Sequence, residues 1–281
     1  MAVILDGKEV ARKIRQNLKE EVSKLKEEGI SPKLAVIMVG DDSASKIYVK
    51  NKSIACNEIG IEYEEYLLNE ETTMDELLKL IDKLNNDKTI NGILLQSPIP
   101  KNLDINEAFK AIDPIKDVDG FNPMNVGKLC LGQDAFISCT PYGVIKILED
   151  YNIEIEGKNA VIIGRSNIVG KPMLQCLLNK NATVTICHSR TKNLAEITKM
   201  ADILVVAIGK SKFVTKDMVK DGAVVVDVGI NRGEDGKLCG DVDFEEVSKV
   251  ASYITPVPGG VGPMTIAMLM NNIVKATKLQ N

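Results

Sequence analysis

Histidine is nearly absent from this chain: the 281 residues hold one, His188. Catalysis by a pair of histidines is excluded, and a histidine-rich metal site with it. The six cysteines stand at 56, 130, 139, 176, 187 and 239, and no two make a Cys-x-x-Cys pair. That spacing speaks against a zinc site and against a disulfide framework, so no metal is expected. An excess of positive charge is also missing. The net charge is −4 and the charged residues, 26% of the chain, are well mixed. Nothing resembles the basic face or tail by which nucleic acid is held, so no nucleic-acid partner is expected. The Lys/Glu stretch 19–28 reads as the solvated face of a helix. No apolar run reaches the roughly 20 residues that span a bilayer. The opening Met-Ala-Val-Ile-Leu-Asp lacks the basic segment and long apolar core of a leader peptide. A cytoplasmic protein without membrane partners is the expectation.

What is present is a strong alternation of short apolar runs and helical periods. Residues 9–29 place Val10, Ile14, Leu18, Val22 and Leu25 at helical spacing. Lys-Leu-Ala-Val-Ile-Met-Val-Gly at 33–40 reads as a strand buried on both faces. A helix over 43–59, a strand over 61–68, a helix over 73–86 and a strand over 91–96 follow. The second half repeats the pattern: strands at 160–163, 183–187, 203–208 and 223–228 alternate with helices at 168–180 and 192–200 and a helical turn at 215–220. Such βα alternation predicts an α/β protein with mostly parallel sheets covered by helices. The stretch 113–143, rich in Pro, Gly, Asp and Asn, suits an interdomain cleft. A first domain is expected over 1–138 plus 265–281, the last helix packing back on it. A Rossmann-type doubly wound domain is expected over 139–264.

Several segments carry chemistry. Gly164-Arg-Ser-Asn-Ile-Val-Gly170-Lys-Pro172 follows a strand and precedes a helix, where a dinucleotide pyrophosphate meets backbone N–H groups. It is not a G-x-G-x-x-G, so it reads either as a tight βα turn with an exposed arginine or as a phosphate site served by Arg165 and Ser166. The next strand ends Cys187-His188-Ser189-Arg190-Thr191. An NAD enzyme usually places an acid there for the ribose 2′-hydroxyl. Here Ser189 and Arg190 suit a 2′-phosphate instead, so NADP is the expected cofactor, with His188 a neighbour. Val226-Asp-Val-Gly-Ile-Asn231 ends a further strand. Gly229 and Ile230 there are either an ordinary turn or a contact for the nicotinamide end.

In the first half, Tyr48 and Lys52 lie four apart on one helix face. They follow the glycine and N-cap cluster Gly40-Asp-Asp-Ser-Ala-Ser45 that ends a strand. A desolvated lysine in such a place can exchange protons near neutral pH. Gln96, in Gln96-Ser-Pro-Ile-Pro100, ends another strand of the same half. Asp117-Val-Asp119 admits three readings: metal ligands, acceptors for an amino-substituted heterocycle, or solvated loop acids. Tyr253-Ile-Thr-Pro-Val-Pro-Gly-Gly-Val-Gly-Pro-Met-Thr265 holds three prolines and three glycines in 13 residues. Either it is a tight connection before a helix starting at Thr265, or a loop of fixed shape that lets backbone approach a flat ligand. The density of Pro and Gly favours the second.

Together these motifs resemble the bifunctional methylenetetrahydrofolate dehydrogenase/methenyltetrahydrofolate cyclohydrolase family over essentially the whole chain. The resemblance rests on Tyr48-Val-Lys-Asn-Lys52 with Gly60-Ile61, Gln96-x-Pro-x-Pro100, Asp117-Val-Asp-Gly-Phe121, Cys139-Thr-Pro-x-Gly143, the 164–172 turn, Val226–Ile230, Gly240-Asp-Val242 and Pro256–Thr265. It implies NADP-dependent oxidation of 5,10-methylenetetrahydrofolate, then hydrolysis to 10-formyltetrahydrofolate, in one cleft between two domains. Catalytic roles fall to Lys52, Tyr48, Gln96 and Asp119. Lys52 is the general acid/base, Tyr48 stacks on the folate, Gln96 bonds Lys52, and Asp119 binds the pterin. Pro258, Gly259, Gly260, Val261 and Thr265 line the folate pocket. Gly164, Arg165, Ser166, Ser189, Arg190 and Ile230 hold NADP. The partners implied are tetrahydrofolate derivatives and a second copy of the chain, as a homodimer. The competing reading is a monofunctional dehydrogenase with weak cyclohydrolase activity. Two departures stand out. Ser97 replaces a usual apolar residue, and Ser138 a usual proline, with small effects on loop packing expected.

Overall fold

The computed structural model describes residues 1–233 and 236–281, with Ala44 described by its backbone alone. The chain divides into two compact units, one of residues 13–137 and 266–281, the other of 1–12 and 138–265. Both are α/β units built on parallel sheets. Among the described residues no helix is long and apolar enough to cross a membrane.

The unit of residues 13–137 and 266–281 holds a three-stranded sheet, with Lys33–Val39 between Glu62–Leu68 and Gly92–Leu95. Lys33 pairs with Glu62 and Leu34 with Gly92, both in parallel. Every residue of the central strand after Lys33 is buried, as an apolar run covered on both faces requires. The edge strand carries Glu62, Glu64 and Glu65, charges that discourage further pairing. Gly92 is needed where it stands, because a Cβ there would come 2.7 Å from Val118 Cγ1. The helix Ser43–Ile59 starts at Asp42, whose carboxylate accepts from Ser45 N at 2.7 Å, and stops at Gly60 with φ 87°. The helix Met74–Asn86 opens with a Thr73/Glu76 capping box. Its far end is closed by a buried cation. Lys116 Nζ donates to the carbonyls of Leu84, Asn85 and Asp87 at 2.9, 2.8 and 2.7 Å, the sign that suits a helix C-terminus. Burial pulls the Lys116 pKa down. Leu77, Ile81 and Leu84 of that helix pack with Ile37, Ile93 and Phe109. The last helix joins this unit from Ile266 onward, as expected. Its buried Asn272 donates to the carbonyls of Val118 and Ile137 at 2.8 and 3.1 Å.

The other unit holds a six-stranded, all-parallel sheet in the order Val3–Ile4, Tyr253–Ile254, Val224–Asp227, Ile203–Val206, Asn159–Ile163, Thr183–Cys187. The chain runs outward from Asn159–Ile163 to Thr183–Cys187, then returns to the opposite side of it. The strand order therefore reverses between Asn159–Ile163 and Ile203–Val206, which is the switch point of a doubly wound sheet. Residues 1–12 belong here rather than to the first half. Val3 and Ile4 pair with Tyr253 and Ile254, and Gly7 packs against the backbone of Gly260 so closely that no Cβ fits. The last helix begins at Val261 rather than near Thr265. Gly262 and Pro263 are in its first turn, where the missing proline N–H costs nothing. A short antiparallel pair, Asn231–Arg232 with Leu238–Cys239, was not expected from the sequence.

Candidate functional site

Lys52 and Gln96 meet above the carboxyl ends of two neighbouring strands. Gly40, at φ 85°, turns the chain out of Lys33–Val39 and into the helix that carries Tyr48 and Lys52 one turn apart. Gln96 directly follows Gly92–Leu95, and its N–H still donates to Ile37 O at 2.8 Å. Lys52 Nζ donates to Gln96 Oε1 at 2.9 Å, while Gln96 Nε2 donates to Ser97 O. The second bond orients the amide so that its oxygen faces the amine. Gln96 is buried, Lys52 half-buried, and Tyr48 is 47% exposed. A turn further along the helix, burial pushes the Cys56 thiol up to about 12, against the pull of the Lys52 charge. That thiol is inert and packs 3.6 Å from Met270 Sδ. The Lys52 Nζ is thus bonded to a neutral acceptor. A carboxylate in that place would hold a lysine as the ammonium ion.

The Asp117/Asp119 pair divides its labour. Asp117 is buried and accepts from Phe121 N at 3.2 Å, Asn122 N at 2.8 Å and Asn125 Nδ2 at 2.8 Å. Burial pushes its pKa up to about 6. It anchors the turn. Asp119 is half-buried. Among the described residues no three His, Cys, Asp or Glu side chains gather as a metal site. Asn122 and Asn125, which fasten this turn, were not singled out from the sequence.

In the six-stranded unit, the residues expected at the cofactor follow the strand ends. Gly164 has φ 127°, and a Cβ there would fall on Ala207 O. Arg165 and Ser166 are exposed. Ser166 Oγ accepts from Val169 N at 3.1 Å and Gly170 N at 3.3 Å, so it holds the turn that leads into the helix Gly170–Leu178. At the next strand end His188 shapes the turn. Its N–H donates to Thr191 Oγ1 at 2.9 Å, and its Nδ1 accepts from Arg190 N at 3.2 Å. Ser189 and Arg190 are left exposed at the tip.

A cavity of about 150 Å³ brings Ile230 together with Pro258, Gly259, Gly260 and Val261. Lys8 also lines it, a residue the sequence did not single out. Gly260 has no room for a side chain, since a Cβ would come 2.6 Å from Pro256 O and 2.7 Å from Thr255 Cβ. Thr265 is not among the lining residues. It lies inside the last helix, its hydroxyl 3.0 Å from that of Thr140. Of the two departures, Ser138 has a definite partner: its buried hydroxyl donates to Ile168 O at 2.7 Å. The Ser97–Pro98 peptide is cis.

Comparison with known proteins gives a consistent result. Residues 5–119 match the family model of the tetrahydrofolate dehydrogenase/cyclohydrolase catalytic domain, and residues 138–281 that of its NAD(P)-binding domain. The chain is 58% identical over 278 residues to the "Bifunctional protein FolD" of Agathobacter rectalis, covering 99% of this chain and 100% of the relative. It is 60% identical over 275 residues to the protein of that name from Campylobacter concisus, covering 98% and 97%. The crystal structure of the Campylobacter jejuni bifunctional enzyme FolD superposes with a TM-score of 0.99 at 55% identity, over 100% of both chains. The Trypanosoma brucei dehydrogenase-cyclohydrolase, solved with NADP and an inhibitor, gives 0.94 at 36% identity over 99% and 98%.

Proposed function

This chain belongs to the tetrahydrofolate dehydrogenase/cyclohydrolase family, and we propose from that premise how its residues divide the work. The protein oxidises 5,10-methylenetetrahydrofolate with NADP⁺ and hydrolyses the methenyl product to 10-formyltetrahydrofolate, in one-carbon metabolism. The observation that carries this reading is the Lys52–Gln96 hydrogen bond at the ends of adjacent parallel strands.

The six-stranded unit fits NADP. Gly164 leaves its turn bare of side chain, and the exposed Ser189–Arg190 tip offers a hydroxyl and a guanidinium where an NAD site offers a carboxylate. Gly164, Arg165 and Ser166 hold the diphosphate, Ser189 and Arg190 the 2′-phosphate, and Ile230 the nicotinamide end. When bound, the cofactor supplies the acceptor for the hydride that leaves the methylene carbon.

The remaining chemistry is done by side chains. Tyr48 stacks on and orients the folate. Asp119 accepts from the pterin's amino and ring N–H groups. Pro258, Gly259, Gly260 and Val261 present backbone to the flat ligand, with Thr265 behind them. As water adds to the methenyl carbon, Lys52 takes one of its protons. Lys52 returns that proton to N5 as the C–N5 bond breaks. The formyl group stays on N10, and its hydroxyl proton leaves to solvent as the carbonyl forms. Gln96 holds the amine in line without a charge of its own.

A cytoplasmic homodimer completes the reading. It is supported by the family and by exposed apolar Ile47, Ile54 and Leu67, the last on an edge strand. Sedimentation of the purified chain at twice the monomer mass is the expected result. Activity is tested by following reduced cofactor and methenyl absorbance together. NADP⁺ reduction with little methenyl accumulation supports the reading, and no reduction with either NADP⁺ or NAD⁺ overturns it.

A further inference from the structure

Two buried aspartates of the six-stranded unit take no part in the chemistry above. Asp227 ends the strand Val224–Asp227, and Asp241 lies beyond the Leu238–Cys239 strand. Asp241 accepts from three successive backbone N–H groups, Ile208 at 2.7 Å, Gly209 at 3.0 Å and Lys210 at 2.7 Å. It also accepts from Asn231 Nδ2 at 2.8 Å. Asp227 accepts from Gly229 N at 2.9 Å, Asp241 N at 3.0 Å and Val242 N at 2.9 Å. Its own N–H donates to Thr255 Oγ1 at 2.7 Å.

The packing is reciprocal. A Cβ on Gly229 would fall on the Asp241 carboxyl group, and a Cβ on Gly240 on that of Asp227. Each glycine therefore admits the other segment's carboxylate. Burial pushes Asp227 up to about 6, with repulsion from Asp241 adding to it. Two buried carboxylates kept this close carry a cost that an apolar core would avoid. Three aligned N–H groups are an anion-binding concavity, and here Asp241 fills it.

The consequence falls on Ile230. Its side chain is 50% exposed, yet both flanking residues are tied down. Gly229 is bonded to Asp227 and Asn231 to Asp241. The Ile208–Lys210 turn, tied to the same Asp241, follows the strand beside the switch point. We propose that Asp227 and Asp241 are positioning residues for the cofactor, fixing Ile230 and the Ile208–Lys210 turn at the strand ends where the dinucleotide lies. This rests on the assignment of Ile230 to the cofactor. It makes the dehydrogenase, and not the cyclohydrolase, depend on the pair.

The test is kinetic, on Asp241→Asn and on the milder Asn231→Ala, which removes one tie and leaves both carboxylates in place. Hydrolysis of supplied 5,10-methenyltetrahydrofolate is measured without cofactor, beside the KM for NADP⁺ in the dehydrogenase assay. Losing hydrogen bonds that hold these segments predicts a KM for NADP⁺ raised roughly tenfold in Asp241→Asn and severalfold in Asn231→Ala, with hydrolysis within about twofold of wild type. An unchanged KM in both variants overturns the proposal. A parallel fall of both activities also overturns it, because that marks a general structural role. Failure of the wild-type chain to reduce NADP⁺ would overturn the cofactor assignment itself, which the same assay reads separately.

Discussion

Lys52 Nζ and Gln96 Oε1 stand 2.9 Å apart, a bond between a helix one turn past Tyr48 and a residue that closes the neighbouring strand. The amide is neutral and is oriented from behind by its bond to Ser97 O. Replacing it with a carboxylate keeps the shape and changes the charge. Gln96→Glu is expected to stabilise the ammonium form of Lys52. Methenyl hydrolysis at pH 7 then falls by roughly tenfold or more and its pH profile moves to higher pH. A pH–rate profile that does not move would remove Gln96 as the group that keeps Lys52 in its working state.

Arg190, proposed above for the cofactor's 2′-phosphate, is exposed at the tip of a turn held by His188 and Thr191. A 2′-phosphate is the feature by which NADP differs from NAD. Arg190→Ala is therefore expected to weaken NADP⁺ by roughly 1.5–3 kcal/mol, as for a lost hydrogen bond to a charged group, and to leave NAD⁺ nearly unchanged. Equal losses for the two cofactors, measured as KM or Kd, would contradict the assignment.

Gly164 combines a φ of 127° with a Cβ position blocked by Ala207 O. Gly164→Ala meets both strain and collision, at about 1–3 kcal/mol for the backbone alone. The expected result is a lower melting temperature together with loss of NADP⁺ binding. A variant with wild-type melting and wild-type KM would show that the turn tolerates a side chain.

Asp117 has its pKa raised by burial from 3.8 to about 6. Between those values the folded state keeps a proton that the unfolded chain releases. Its contribution to stability is therefore full below the lower value and is lost as pH rises through the higher one. Urea unfolding of wild type and Asp117→Asn between pH 5 and 8 isolates it. The stability of wild type relative to the variant should fall from pH 5 to 7 and then level off. A difference that stays constant with pH would show that Asp117 titrates normally.

The elements that the sequence showed plainly are those whose cause is local. Lys33–Val39 is an unbroken apolar run, and the helix after it has Asp42 at one end and Gly60 at the other. What escaped has distant causes. Val3–Ile4 is two residues long and is a strand only because Tyr253–Ile254 lies beside it. The helix beginning at Val261 was hidden because Gly262 and Pro263 read as loop, although a first turn accepts both. The same holds at the candidate site. Tyr48 and Lys52 share a helix face by spacing alone, whereas the partnership of Lys52 with Gln96, 44 residues away, was implied by family resemblance and not by periodicity. Asp227, Asp241 and Lys116 are buried polar side chains bonded largely to backbone groups of other segments, a pattern that hydropathy does not register.

The most direct test of the account is the rate at which Lys52→Met hydrolyses supplied 5,10-methenyltetrahydrofolate, measured beside folate binding. Loss of a positioned general acid/base predicts a fall of roughly 10²–10⁴-fold with binding largely intact. A hydrolysis rate equal to wild type would contradict the assignment of Lys52 and the proton path built on it.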